Sequence, residues 1–132
     1  MKLVLDTSAY SLLARRHAGA AAAVRGATRL FLPAVCLGEL HAGFRKGARP
    51  AENLRVLEVF LSTYEVSLLE VDAHVAEHYG EIHDTLRRVG TPIPTNDLWI
   101  AATCASIDGI LLTSDQHFTA VPKLRLHALS AE

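Results

Sequence analysis

Lys2-Leu3-Val4-Leu5-Asp6-Thr7-Ser8 near the start of the chain and Leu111-Leu112-Thr113-Ser114-Asp115 toward its end are the stretches that decide the fold. Each passes from a short apolar run to a carboxylate with hydroxyls beside it. The first run is rich in strand formers, Asp6-Thr7-Ser8 is a helix-capping segment, and Tyr10, Leu12 and Leu13 begin a helical pattern behind it. The unit is strand, turn, helix. In an open parallel sheet, ligands bind outside the carboxyl ends of strands where the connection order reverses, so Asp6 and Asp115 are placed to share one crevice.

The same alternation continues between these two stretches. An alanine-rich helix over residues 18–24 is broken by Gly26, and residues 30–32 form a second strand ending at Pro33. A helix over 34–44 carries Val35, Glu39 and Leu40 close together on its surface. Pro50 opens another helix, whose dense apolar positions, Leu54, Val56, Leu57, Val59, Phe60 and Leu61, imply burial against a neighbour. Residues 66–69 give a third strand. Asp72 caps a helix running to about residue 89, with an i, i+3, i+4, i+7 stripe of Val75, Ala76, Tyr79, Ile82, His83 and Leu86. Residues 90–94 end it. Thr95 then stands as the cap of a helix over 96–107 that has little polar face and belongs in the core. Residues 109–112 form a fourth strand and 124–126 a candidate fifth. The expected fold is therefore α/β, a parallel sheet of four to five strands covered on both faces. With no repeat, linker or low-complexity tract, residues 1–132 read as a single domain.

Half of the 132 residues are hydrophobic, enough for a core without stapling. No apolar run reaches the roughly 20 residues of a membrane span, and the apolar start is too short for a secretory signal, so the expected location is cytoplasmic. Cys36 and Cys104 lie among apolar neighbours without ligand spacing and read as buried, reduced thiols. The formal charge of −1 argues only weakly against nucleic acid, because setting aside four metal-bound carboxylates leaves basic residues in the majority.

Those four are Asp6, Glu39, Asp97 and Asp115. Asp97 sits in the first turn of an otherwise apolar helix, and Glu39 lies between Cys36, Leu37 and Leu40, where a solvated glutamate is out of place. Singly, each has an ordinary explanation as a cap, a turn residue or a surface charge. Together, at the ends of apolar elements facing one sheet edge, they form a cluster. Two like charges about 4 Å apart repel by about 4 kcal/mol at an effective dielectric near 20, so a cation or protons must compensate. All-oxygen ligands select a hard ion, Mg²⁺ or Mn²⁺, and the reaction that suits it is phosphodiester hydrolysis.

On Leu5-Asp6-Thr7-Ser8, Glu39-Leu40 with Gly43, Asn96-Asp97-Leu98-Trp99-Ile100-Ala101-Ala102, and Leu112-Thr113-Ser114-Asp115 with Phe118, the chain resembles the PIN-domain ribonucleases. More narrowly, it resembles the VapC-type toxins of toxin–antitoxin pairs. The resemblance covers nearly the whole chain. It implies a three-layer α/β/α PIN-like fold, a homodimer, and a Mg²⁺-dependent endoribonuclease that cuts structured RNA such as tRNA or rRNA. A cognate VapB-type antitoxin whose C-terminal segment blocks the acidic pocket is implied as well. By position, Asp6, Glu39, Asp97 and Asp115 match the family's acids, and Ser8 and Thr113 match pocket hydroxyls. Pro33-Ala34 departs from the pattern, since a hydroxyl residue is common there, and puts in question how the Glu39 helix approaches the site. Arg45, Lys46 and Arg49, with Arg87 and Arg88, are the cations expected to flank the pocket and contact RNA. Few aromatics are available for base stacking, which favours recognition of RNA shape.

Other readings compete. His74-Val75-Ala76-Glu77-His78 has the spacing of an inverted zinc-protease motif, but no third ligand is evident, and seven histidines make such a pair easy to obtain by chance. A receiver-like signalling module also carries acids at strand ends, yet wants paired acids after the first strand and a late lysine, both missing here. A non-toxin PIN nuclease of RNA processing and a catalytically inactive PIN domain that only binds RNA or protein complete the alternatives.

Overall fold

The computed structural model describes residues 1–130. In chain order its elements are β1 (Lys2–Leu5), α1 (Thr7–Ala14), α2 (Ala18–Gly26), β2 (Arg29–Pro33), α3 (Ala34–Lys46), α4 (Pro50–Thr63), β3 (Ser67–Leu69), α5 (Ala73–Val89), α6 (Thr95–Ser106), β4 (Ile110–Thr113) and β5 (Arg125–Ala128), with a 3-10 helix at Gln116–Ala120 before β5. The strands form one sheet in the order β3-β2-β1-β4-β5, and every pairing is parallel. The chain builds outward from β1 to β3, then returns to the other side of β1. With right-handed crossovers, the helices of the outward connections lie on one face and those leading to β4 on the other, giving three layers.

Burial follows the sequence pattern. Leu3, Val4 and Leu5 of β1 and Leu111 and Leu112 of β4 are fully buried, as strands covered on both faces must be. Leu98, Ile100, Ala101, Ala102, Thr103 and Cys104 bury α6. Cys36 and Cys104 are buried free thiols, and burial holds both in the neutral form.

Most elements end within a residue or two of expectation, Gly26 closing α2 from inside it and α3 running on to Lys46, and the boundaries of α6, β4 and β5 differ for local reasons. Pro94, already extended at φ −56° and ψ 147°, takes the cap position of α6, so Thr95 is its first helical residue and makes no side-chain cap. Gly109 is spent closing α6, its N–H donating to Cys104 at 3.0 Å, so β4 starts one residue later. Glycine is required there, since a Cβ would lie 2.8 Å from Val4 Cγ2. β5 runs to Ala128 because its register, Ile110 opposite Arg125 through Thr113 opposite Ala128, matches all of β4.

Because all strands point the same way, Asp6 after β1 and Asp115 after β4 emerge at the same edge. β1 lies between β2 and β4, so the gap beyond β1 and β4 is where the connection order reverses. α1 and the 3-10 helix begin at this edge immediately after β1 and β4. α6 runs back to its strand, so its first turn is brought there too.

Candidate active site

Asp6 is the deepest acid, 3% exposed. As the N-cap of α1, its Oδ1 accepts from the Ala9 N–H at 2.8 Å and from Ser8 Oγ at 2.7 Å. Its Oδ2 accepts from Thr113 Oγ1 at 2.5 Å, a bond that crosses from β1 to β4. Thr113 Oγ1 in turn accepts from the Asp115 N–H at 2.9 Å, and Ser8 Oγ from the Ser114 N–H at 3.0 Å. The two hydroxyls thus tie the strand ends together. Burial raises the Asp6 carboxyl above the ordinary carboxylate range, the bonds from Thr113, Ser8 and Ala9 oppose that rise, and the charge of Asp115 adds to it.

Asp115 caps the 3-10 helix, its Oδ1 accepting from the His117 N–H at 2.9 Å. Asp97 lies in the first turn of α6, partly buried, with its Oδ2 2.9 Å from His117 Nδ1. Its carboxyl is also pushed up, chiefly by burial, with the neighbouring charges of Asp115 and Glu39 contributing and the His117 bond opposing. Glu39 reaches in from α3. Its Oε1 accepts from Thr7 Oγ1 at 2.5 Å and its Oε2 from Asn96 Nδ2 at 3.2 Å, which links α3 to the starts of α1 and α6. Although Pro33 provides no side-chain cap, α3 starts directly from it, and Glu39 still bonds across to both neighbouring helices.

The four acids are therefore electrostatic neighbours: Asp6 feels Asp115, and Asp97 feels both Asp115 and Glu39. No arginine or lysine forms an ion pair with any of them among the described residues. Single ligand atoms of Asp97, Asp115 and His117 lie within 4.8 Å of one another, a group able to hold a metal ion. Asp6 and Glu39 stand outside that tight group. The helix N-termini of α1 and α6 offset part of the repulsion but supply no full charge. The donor set fits a divalent cation.

Thr7, Asn96 and His117 are parts of this arrangement that reading the acids alone did not single out. Thr7 and Asn96 adjoin predicted acids, and His117 lies two positions beyond Asp115. The signal was adjacency, diluted for histidine by the other six. The five cations named from the sequence are all exposed and touch none of the acids. Arg49, just before α4, pairs with Glu52 in its first turn, and Arg87 and Arg88 both pair with Asp84, leaving Arg45 and Lys46 at the exposed end of α3. His74 and His78 stack edge to face at 4.8 Å on α5, remote in sequence from the acids, and do not enter the metal-compatible group.

An acidic crevice at the reversal point of a parallel sheet, able to hold a divalent ion, defines the class as an α/β protein with a candidate metal centre. Comparison with known proteins narrows the class: residues 3–124 match the PIN domain model. The tRNA(fMet)-specific endonuclease VapC of Salmonella typhimurium is 34% identical over 100 residues, covering 75% of this chain and 74% of that protein. The crystal structure of DNA-bound VapBC from Salmonella typhimurium superposes with a TM-score of 0.86 at 27% identity, covering 97% of this chain and 98% of that one. VapBC-5 from Mycobacterium tuberculosis, a member of the VapBC family of toxin-antitoxin systems, superposes at 0.73 with 26% identity and the same coverage. The chain belongs to the PIN domain family, in its VapC group. Among the described residues, no helix is long and apolar enough to cross a membrane.

Proposed function

We propose that this chain is a metal-dependent endoribonuclease, the toxin of a toxin–antitoxin pair, with Asp6, Glu39, Asp97 and Asp115 as its catalytic and metal-binding acids. The observation that carries the reading is a set of coupled carboxylates at one sheet edge with which, among the described residues, no arginine or lysine forms an ion pair. The kinship to a tRNA-cleaving VapC supports structured RNA as substrate, and the superposed VapBC complexes support a VapB-type antitoxin as partner. We further read residues 1–132 as a single PIN domain that works as a homodimer in the cytoplasm. The ion is Mg²⁺ or Mn²⁺.

When bound, the ion polarises a phosphoryl oxygen and lowers the pKa of the attacking water. Asp97 and Asp115 present oxygens to it from α6 and the end of β4. Asp6, locked by Thr113 and Ser8, cannot swing away, so its charge stays aimed at the crevice. Glu39, held through both oxygens by Thr7 and Asn96, forms the wall that orients water. Arg45, Lys46, Arg49, Arg87 and Arg88 attract the phosphate backbone from outside, and the local pairs of three of them yield readily because exposed ion pairs are worth only about 0–1 kcal/mol.

Incubating purified protein with a tRNA pool tests the proposal. Cleavage that needs Mg²⁺ or Mn²⁺, stops with chelator and stops with an added VapB-type partner is the expected result. Cleavage indifferent to chelator would sink the metal reading.

A further inference from the structure

Among the described residues, His117 is the imidazole that joins the crevice acids in the metal-compatible group. Its backbone N–H is bonded to Asp115, and the next residue, Phe118, is fully buried, so the short 3-10 helix that carries it is anchored on both sides. The ring itself is not packed away. Its side chain is 54% exposed, with Nδ1 2.9 Å from Asp97 Oδ2 and 3.3 Å from Asp115 Oδ1.

Those separations have a meaning beyond an ion pair. Around an octahedral cation with ligands at about 2.1 Å, adjacent ligand atoms lie about 3.0 Å apart. The two distances at Nδ1 match that edge, and all three ligand atoms fall within 4.8 Å of one another. We infer that His117 is a nitrogen ligand of the crevice metal, standing beside Asp97 and Asp115. The inference rests on the reading of this crevice as a divalent-metal site. Its chemical consequence is selectivity: one imidazole among carboxylates favours first-row ions over Mg²⁺, which prefers oxygen alone. The site is thereby tilted toward Mn²⁺.

An ordinary ion pair makes the opposite prediction. If Nδ1 merely donates a proton to Asp97, the metal must displace His117, and removing the ring would tighten metal binding. A ligand, when removed, weakens it.

Mn²⁺ titration followed by electron paramagnetic resonance separates the cases. In Mn²⁺-loaded wild type, pulsed spectra should carry nitrogen modulation from an imidazole. In His117→Ala that modulation should vanish, with Mn²⁺ affinity falling by about tenfold and Mg²⁺ affinity, measured by competition, falling less. His117→Gln, which keeps a polar side chain at the same place, should also lose the nitrogen signal while retaining the wild-type circular dichroism spectrum. Mn²⁺ bound without nitrogen modulation, or bound more tightly by His117→Ala, overturns the inference and leaves the acidic metal site standing. Failure of wild type to take up Mn²⁺ at all overturns both.

Discussion

The crevice has two halves built on opposite plans. The inner half is buried Asp6 and Thr113 with half-buried Ser8: both Asp6 oxygens are engaged, and every donor is supplied by the chain. The outer half is Asp97 and Asp115: partly open, with an exposed imidazole as their only side-chain partner among the described residues. The inner acid is pre-positioned at folding, whereas the outer pair is left under-bonded, as groups that must accept a ligand have to be. Positioning and reactivity are assigned to different carboxylates.

That division can be broken most severely by charge removal. Asp6→Asn and Asp97→Asn are each expected to reduce RNA cleavage by at least about a thousandfold while the circular dichroism spectrum stays native, since asparagine at position 6 keeps an oxygen for the Ala9 N–H that caps α1 and Asp97 caps no helix. If one variant alone keeps its activity, the division is real but the silent half is not catalytic.

The next largest effect concerns stability. Thr113→Val removes the hydroxyl that bonds buried Asp6 and should destabilise the metal-free protein by about 1–3 kcal/mol, read by urea unfolding, because a buried charged acceptor loses a donor. An equally large loss in Ser114→Ala, whose side chain makes none of these bonds, would erase the contrast between inner and outer positions.

Metal binding sharpens the comparison from the other side. Mg²⁺ should raise the melting temperature of wild type by several degrees and that of Asp97→Asn by less, since a ligand that binds only the native state stabilises it by mass action. Equal shifts would mean that Asp97 does not hold the ion.

The smallest effect is the pH dependence without metal. Asp6 and Asp97 have folded-state pKa values raised above the ordinary 3.8, so the native state holds more protons just above that value and stability falls as pH rises through the raised pKa. His117, raised above 6.5 chiefly by its bond to Asp97, contributes in the same sense: its stabilisation is complete below 6.5 and lost as pH rises past its folded value. Metal-free protein should therefore melt at a higher temperature near pH 5 than at pH 8, and Asp6→Asn should flatten the acidic part of the curve. A melting temperature that climbs with pH across this range would contradict the upward direction of these shifts.

Most of the fold was legible because its signals are local. Period and capping placed Asp72 at the start of α5 and Pro50 at the start of α4, and both stand there. Element ends were harder, since the length of β5 is set by its partner β4 and the start of β4 by how α6 closes. Within the site, the acids announced themselves as charges at the tips of apolar segments. Their supporting bonds did not, because Thr7 to Glu39 and Asn96 to Glu39 span separations that no motif encodes.

The bond from Thr113 to Asp6 joins residues 107 apart. β1 is made first, yet β4, one of its two neighbours in the middle of the sheet, is among the last strands to leave the ribosome. At elongation rates of about 5–20 residues per second, several seconds pass between the two events. Throughout that interval the nascent chain carries Asp6 without the strand that completes its surroundings. A copy that ends before β4 therefore lacks both Thr113 and Asp115, and its crevice is left incomplete.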